Sequence, residues 1–454
     1  MARYRRRRSP LLLLLLLLTL SVGVKSQDIF KARTLAQQIL DALEPTPVVV
    51  VIPTPAAFNV AYAAAPAGST LTLSRSLIYT DPLVLNKAIT LQPEGALPLT
   101  PIDAATPLPS FRDGITISGD AVTLIGVEVK KVDPQTDIVV VSGAGVTLDR
   151  IRVLGDPVRG AKRGIRANSN GNLRILRYYI DYTFQILNSA DSQAICGWDM
   201  GPGLLIEDGY ASGGSESIMI GGADASSAAR MPAEVTIRGN RITKRPEWQA
   251  AAVGVKNILE IKAGRNILIE NNDIEYSWGG HGQDGYAFLI TVRNQDGRAP
   301  WSTVQNVVFR GNRITHAAAA INILGLDNIR EDTAGRPTPV GSVRPSIRAS
   351  TISITGNTAT DLDPTKWTGS NRMILIGGSP IDVTIDMNTF VGQHLGSVVY
   401  LYGSLPTSQI PGLMITNNTW PPSTYGVKGD GLASGAATWA AYVLSGRLEG
   451  NVVQ

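Results

Sequence analysis

The chain has 454 residues, 44% of them hydrophobic and 17% charged, which is core enough for a large fold that needs no disulfides. Its one cysteine, Cys196, excludes an intrachain disulfide and any zinc site built on several thiolates. The formal net charge of +4 belongs to the N-terminus: residues 1–26 hold five arginines and Lys25, and without them 41 − 6 = 35 basic residues face 37 acidic ones, a near-neutral balance that excludes a basic nucleic-acid or membrane surface.

Residues 1–26 read as a signal peptide. Arg3 and Arg5 to Arg8 form a basic region, Leu11 to Val24 an apolar one, and Val24-Lys25-Ser26 precedes an expected cut at Gln27. The apolar run of 14 residues is short of the ~20 a spanning helix needs. Arg7-Arg8 admits a twin-arginine route. No later apolar run is long enough to span, so the mature chain is expected to be secreted or periplasmic, with no membrane span.

Residues 27–66 are expected to form an N-terminal cap helix and linker. Ile29, Phe30, Leu35, Ile39, Leu40 and Leu43 fall at helical spacing, and Pro45 and Pro47 stop the helix. The stretch from Val48 to Ala65 has room for a strand and a second short helix. From residue 67 the pattern changes to strands. Ala67 to Leu73, Leu83-Val84-Leu85 and Ala88 to Leu91 alternate apolar and polar residues, and residues 92–113, rich in Pro and Gly, read as loop.

One pattern then recurs to the end: apolar, any, apolar, any, any, Asn, any, apolar. Its copies begin at Val235, Ile267, Val307, Ile352, Val383 and Leu413, with Asn240, Asn272, Asn312, Asn357, Asn388 and Asn418 at the sixth position. Copies without the Asn begin at Val122, Val146, Leu173 and Leu204. Steps of 24 to 45 residues mark a stacked repeat in which no one unit buries its apolar side alone. Spacing by two inside each copy predicts strands. An inward Asn at the corner between two strands carries a donor and an acceptor for the backbone groups there, and stacked amides can bond to one another.

This repeat resembles the right-handed parallel β-helix of the pectate lyase-like superfamily, with its Asn ladder, over residues 67–454. The resemblance implies an all-β solenoid domain, to which the segment before it adds an N-terminal helical cap. It implies no single activity, since that solenoid serves lyases, hydrolases, epimerases, adhesins and tailspikes.

The two longest steps, 40 and 45 residues, start at Ile267 and Val307, and insertions in solenoids go to loops on one side, often the binding side. The first insertion carries Trp278, His281, Asp284 and Trp301; the second carries Asp327. Beneath them a second strand per coil can be aligned so that Met219, Glu260, Thr291, Asn322 and Leu375 form one outward column, with Lys262, Arg293 and Leu324 beside it. A slip of one residue would turn that face over. A Lys beside another cation can act as a base, and Arg grips a carboxylate with two hydrogen bonds.

Glu260, Lys262, Asn266 and Arg293 resemble the Glu, Lys, Asn, Arg order of the chondroitinase B and alginate lyase family. The resemblance implies Lys262 as base, Arg293 assisting, and Glu260 as a calcium ligand. Here the Glu and Lys are closer together than in that family, and a second acidic ligand is not evident. His281, in Gly280-His281-Gly282, echoes a polygalacturonase motif and is a further acid–base candidate, although that hydrolase's Asn-Thr-Asp and Asp-Asp signatures are absent. Asn322, Asp284 and Asp327 are expected to bind substrate, and Trp278 and Trp301 to stack on sugar faces or else to cover the base of the loops. His316 and His394 are expected to be structural. The expectation is an exported protein that binds a polysaccharide and cleaves it as a lyase, by β-elimination on an acidic glycan. The alternatives are a non-catalytic carbohydrate-binding or surface solenoid, and a glycoside hydrolase.

Overall fold

The computed structural model describes residues 49–454 apart from 53, 77, 99, 101, 132, 134–135, 187–189, 252, 281, 327–328, 332–336 and 340–345. The signal peptide and the helix expected over 28–44 lie outside the described residues.

The chain is a right-handed parallel β-helix with three long parallel sheets of 14, 13 and 12 strands, here sheets A, B and C. One coil shows how the sequence produces them. Ala233–Arg238 lies in sheet A, Arg241–Thr243 in sheet B and Leu259–Ile261 in sheet C, and Gly264–Glu270 re-enters sheet A one level on. Val235, Ile237, Ile242, Leu259 and Ile261 point into the coil and are essentially inaccessible, while Thr236 and Arg238 between them face out. The period of two that is visible in the sequence is the inside–outside alternation of these strands.

The repeat copies stack Cα on Cα. Val235, Ile267, Val307, Ile352, Val383 and Leu413 are successive register partners. So are Leu124, Leu148, Ile175, Ile206 and Ile237 in the earlier coils. The buried aliphatic rows form one continuous core from Ile52 to Tyr442.

The Asn ladder is present. Asn240 Nδ2 donates to Asn272 Oδ1 at 2.9 Å, Asn272 to Asn312 at 2.9 Å, Asn312 to Asn357 at 3.1 Å, Asn357 to Asn388 at 2.8 Å and Asn388 to Asn418 at 2.9 Å. Each amide also satisfies an inward carbonyl; that of Asn240, for example, donates to Ile206 O at 3.0 Å. Asn418 passes the ladder to Asn451, in the tail. Before Asn240 the corner residues are Gly209 and Tyr178. A side chain on Gly209 would meet the Tyr178 ring at 2.3 Å, so the glycine makes room for that ring. Tyr178 crosses the vacated corner and donates to Asn240 Oδ1 at 3.0 Å, which closes the head of the ladder.

Sheet A begins at Val49–Ile52, which pairs with Ser69–Leu73, ahead of the boundary expected at residue 67. The helix Pro55–Ala64 follows, with Phe58 buried against Tyr79 and Phe111. Residues 92–113, expected as loop, contribute the short strand Ser110–Phe111 to sheet B because Phe111 is needed in the core. No helix among the described residues is long and apolar enough to cross a membrane.

Candidate functional site

Sheet C carries the candidate site. Its outward column runs Arg166, Cys196, Met219, Glu260, Leu289, Asn322, Leu375, Tyr400 and Lys428. Glu260, Asn322 and Leu375 fall where expected. The coil between them does not. Leu289, not Thr291, lies opposite Glu260, and Ile290 opposite Ile261, which brings Thr291 beside Lys262. The expected alignment of this coil is therefore displaced by two residues. A shift of two keeps every apolar residue on its own face, so alternation cannot detect it. Arg293 falls beyond the strand Tyr286–Thr291. Its backbone N–H still donates to Lys262 O at 2.8 Å, and the side chain is exposed.

Lys262 sits between two carboxylates. Its Nζ is 2.5 Å from Glu260 Oε2 and 3.8 Å from Glu216 Oε1. Asn257 donates to Glu260 Oε1 at 2.6 Å and Gln193 to Glu216 Oε2 at 2.8 Å. Arg163 donates to Gln193 at 3.1 Å and pairs with Asp137 at 3.1 Å. At the solvent edge Lys256 pairs with Asp191 at 2.6 Å and stands 4.0 Å from Glu216. Glu216 is wholly buried and Glu260 is 1% exposed.

Burial, and then the neighbouring Glu260 charge, push the Glu216 carboxyl up to about 7 against the pull of Lys262 and Lys256. Burial also opposes ionisation of Glu260, but Lys262 and the Asn257 amide outweigh it and hold that carboxyl below its ordinary value. Burial opposes the charge on Lys262, yet Glu260 and Glu216 together hold its ammonium well above the usual lysine range. Deeper still, Lys244 is fully buried with Nζ on Gly214 O at 2.7 Å and Ser215 O at 2.5 Å. Burial lowers its pKa to about 7.

These observations correct several expectations. Lys262 and Glu260 are neighbours as expected, but the carboxylates around Lys262 keep it charged, the reverse of what a neutral lysine base needs. Glu260 Oε1 accepts from Asn257 and Oε2 pairs with Lys262, both inside the protein. Among the described residues no three His, Cys, Asp or Glu side chains gather to hold a metal ion. Trp278 is 3% exposed and packs with Phe184, Trp248 and Trp367, so it offers no open face to a sugar. Trp301 is half-buried against Ala225, Met231 and Ala263 under its loop.

Asp284 is half-buried just before the strand Tyr286–Thr291. Asn322 faces out with its Oδ1 buried and without a hydrogen-bond partner. His281 and Asp327 lie outside the described residues. His316 and His394 pair through Nδ1 with Asp361 and Asp363, at 2.6 and 3.1 Å.

Glu216 is a candidate group that the spacing by two does not point to. Counting by two from Ile218 and Ile220 assigns it to the core. The N–H groups of both Ser217 and Ile218 donate to the single carbonyl of Ile258. The departure from alternation is shared by the preceding coils: Asp137, Arg163, Gln193 and Glu216 are successive register partners, each two residues before an inward aliphatic residue, so the polar column itself is the signal for Glu216.

No protein-family model matches the chain, and no curated protein does. Several solved structures are similar to it. The catalytic unit of an α-1,3-glucanase from Streptomyces thermodiastaticus strain HF3-3 is 15% identical, over 89% of this chain and 68% of that one, with a TM-score of 0.48. A family 6 polysaccharide lyase from Pseudopedobacter saltans is 11% identical, over 89% of this chain and 84% of that one, at a TM-score of 0.45. The Dettilon tailspike protein is 13% identical over 83% of this chain, at a TM-score of 0.45, and the match spans 64% of the tailspike's own length.

Proposed function

We propose that the protein binds an extended polysaccharide along the outward face of sheet C. One observation carries this reading: that face combines half-buried rings with a charged centre, in register over successive coils. At one end Arg163 stacks over Trp198 at 5.3 Å. At the other, Arg372 lies 4.2 Å from the Tyr400 ring, and the Tyr400 hydroxyl donates to Asp430 at 2.6 Å. Tyr402 extends this ring platform, and Lys262 and Asn322 lie between the ends. Six coil steps separate the levels of Cys196 and Tyr400, roughly 30 Å at ~4.8 Å each; within that column Asn322 and Tyr400 are half-buried and the other residues are buried. Rings offer apolar planes to sugar faces, and the carboxylate, amide and guanidinium groups suit hydroxyls. The basic and apolar residues at the N-terminus support export, where such a polymer is met.

A second reading, cleavage, is favoured by Glu216. A carboxyl near pH 7 beside Lys262 is suited to general acid–base work. In this reading Glu216 is the acid, and Lys262 is the cation that holds the site together rather than the base of a β-elimination.

Affinity electrophoresis against pectate, alginate, chondroitin and a neutral glucan tests binding, and absorbance at the unsaturated-uronate band together with a reducing-end assay tests cleavage. Retardation by one polymer is expected. Free migration in all four would overturn the binding reading. New reducing ends with Glu216→Gln inactive would establish cleavage, and their absence would leave binding alone.

A further inference from the structure

Where the chain leaves sheet B, three successive coils place one residue each at the same corner. The register pairs Glu275 with Thr315 and Thr360 on one side, and Ser277 with Ala317 and Leu362 on the other, so Tyr276, His316 and Asp361 stand one above another between them. All three have positive φ, 65°, 57° and 53°, the local kink that turns the corner. Their side chains meet on the outside. The His316 ring stacks on Tyr276 with 4.7 Å between centroids, and Trp367 lies 5.7 Å from it. His316 Nδ1 is 2.6 Å from Asp361 Oδ2, and the same oxygen accepts from Lys366 Nζ at 2.8 Å.

Two properties set this corner apart from the cluster around Lys262. It is open to solvent: the side chains of His316 and Lys366 are 37% and 51% exposed. Its imidazole also has a free edge. A neutral ring that donates from Nδ1 carries its lone pair on Nε2, and no hydrogen bond from the described residues reaches that atom. Burial opposes the ionisation of Asp361, but the bonds from His316 and Lys366 outweigh it and hold that carboxyl below its ordinary value. It therefore remains a carboxylate, which keeps the ring proton on Nδ1, while Tyr276 fixes the plane of the ring. Removing a proton next to a carboxylate needs a base for the proton and a cation for the charge that spreads onto the carboxylate. Here a base and an ammonium group are bound to one oxygen. The other imidazole–carboxylate pair, His394 with Asp363, lacks this arrangement: Asp363 Oδ1 is shared with the backbone N–H groups of Thr365 and Lys366 and accepts from no lysine side chain.

We propose that this corner is a catalytic centre separate from sheet C, where His316 is the base and Lys366 the carboxylate-binding cation for β-elimination at a 4-linked uronate unit of a polysaccharide. The proposal rests on the reading that the partner is a polysaccharide, and it places cleavage at an open corner instead of at the buried Glu216. His316 Nε2 takes the C5 proton, and the electron pair of that C–H bond becomes the C4–C5 double bond. The C4–O4 bond breaks, and the departing oxygen takes a proton from water. Asp361 acts through His316 and is a positioning residue.

The test mixes the full chain with pectate, alginate and chondroitin and follows absorbance at the unsaturated-uronate band, which gives kcat and KM. One polymer is expected to react. His316→Gln should lower kcat by about 10²–10⁴-fold, the range of general acid–base catalysis. Asp361→Asn should lower kcat with KM little changed, and Lys366→Met should raise KM about tenfold or more. His394→Gln should leave both constants as they are. Should His316→Gln fail to fold, as judged by circular dichroism, Lys366→Met at its exposed position carries the test through KM. A wild type silent on all three polymers, or a folded His316→Gln as active as the wild type, overturns this centre, as do lower melting temperatures without the split between kcat and KM. Elimination lost in Glu216→Gln but kept in His316→Gln overturns it too and returns catalysis to sheet C. The binding reading fails separately, on free migration in the gel.

Discussion

Lys262 Nζ is 2.5 Å from Glu260 and 3.8 Å from Glu216, and both carboxylates are almost completely removed from solvent. Take away the lysine and two buried acids face each other with only the more distant Lys256 and the buried Lys244 to compensate. Lys262→Met is therefore expected to destabilise the fold by about 3–5 kcal/mol, the usual cost of breaking a buried pair from one side. Denaturant unfolding measures it. The double variant Lys262→Met/Glu260→Gln should recover part of the loss, and a double variant no more stable than the single one would show that the charge pairing is not what Lys262 supplies.

The pH dependence of stability reports on Glu216. Its carboxyl is pushed from 4.5 up to about 7, so the folded chain binds that proton more tightly than the unfolded chain. The sign follows: stability falls as pH rises from 4.5 to about 7, and the cost of the buried charge is complete above that. Lys244 acts in a higher window. Its pKa, lowered by burial to about 7, makes stability rise with pH between about 7 and 10.5. Glu216→Gln removes the lower branch and, by taking away a carboxylate that favours the charged Lys244, lowers the start of the upper one. Between pH 5 and 7.5 the wild type should lose, relative to this variant, on the order of a few kcal/mol, read as diverging melting temperatures. Parallel curves would refute the assignment.

Within the ladder, position decides the cost of losing an amide. The side chain of Asn312 receives Asn272 N–H at 3.0 Å and Asn272 Nδ2 at 2.9 Å, and donates to Ile269 O at 3.0 Å, all inside the core. Asn312→Ala strands these groups and should cost about 3 kcal/mol or more, at 1–3 kcal/mol for each buried unpaired group. Asn451, at the last rung, is only half-buried. Asn451→Ala should cost less than about 1.5 kcal/mol, because water can reach the groups it leaves. Chemical denaturation of both variants decides it, and equal losses would contradict the ladder argument.

The corner ahead of the ladder makes a sharper case. A Cβ on Gly209 would lie 2.3 Å from the Tyr178 ring. Gly209→Ala is expected to cost about 1–3 kcal/mol by overpacking. Tyr178→Phe keeps the ring and loses only the 3.0 Å bond to Asn240, for about 1 kcal/mol. Melting curves that rank the two in the opposite order would mean that the hydrogen bond, not the shared space, fixes this corner.

The repeat was legible because two strong constraints coincide at each corner. Every coil must bury the residues at Val235 and Ile237 or their equivalents, and must satisfy inward backbone groups with an amide such as Asn240. Both leave fixed letters at fixed spacing. The site was legible only in part, because outward residues are not so constrained. Glu260 lies between the clear aliphatic residues of the strand Leu259–Ile261 and Lys262 directly follows it, so both are legible. Thr291 and Arg293 were assigned two positions too early, a displacement that the core tolerates without any change of pattern. Glu216 is misplaced by alternation alone, because it stands two places before an inward Ile; the signal that reveals it is the polar column of Asp137, Arg163, Gln193 and Glu216, which stacks in register over four coils. Trp278 could have covered a loop or faced a sugar, and only its packing against Phe184, Trp248 and Trp367 decides between them.

The binding face itself is tested at its aromatic end. Tyr400 is half-buried, with Arg372 over its ring and Asp430 on its hydroxyl, and lies six register steps from Cys196, well away from the charge cluster. If a polymer runs the length of sheet C, Tyr400→Ala removes a stacking plane and frees Arg372, and affinity should fall roughly threefold to tenfold, the equivalent of the 0.5–1.5 kcal/mol that an aromatic contact adds. The fold should hardly notice, since the ring lies outside the main core. Affinity electrophoresis with the retarding polymer, beside a melting curve, separates the two effects. Weaker retardation at an unchanged melting temperature places the polymer across Tyr400. Unchanged retardation would confine contact to the region of Lys262 and shorten the binding face to the coils around it.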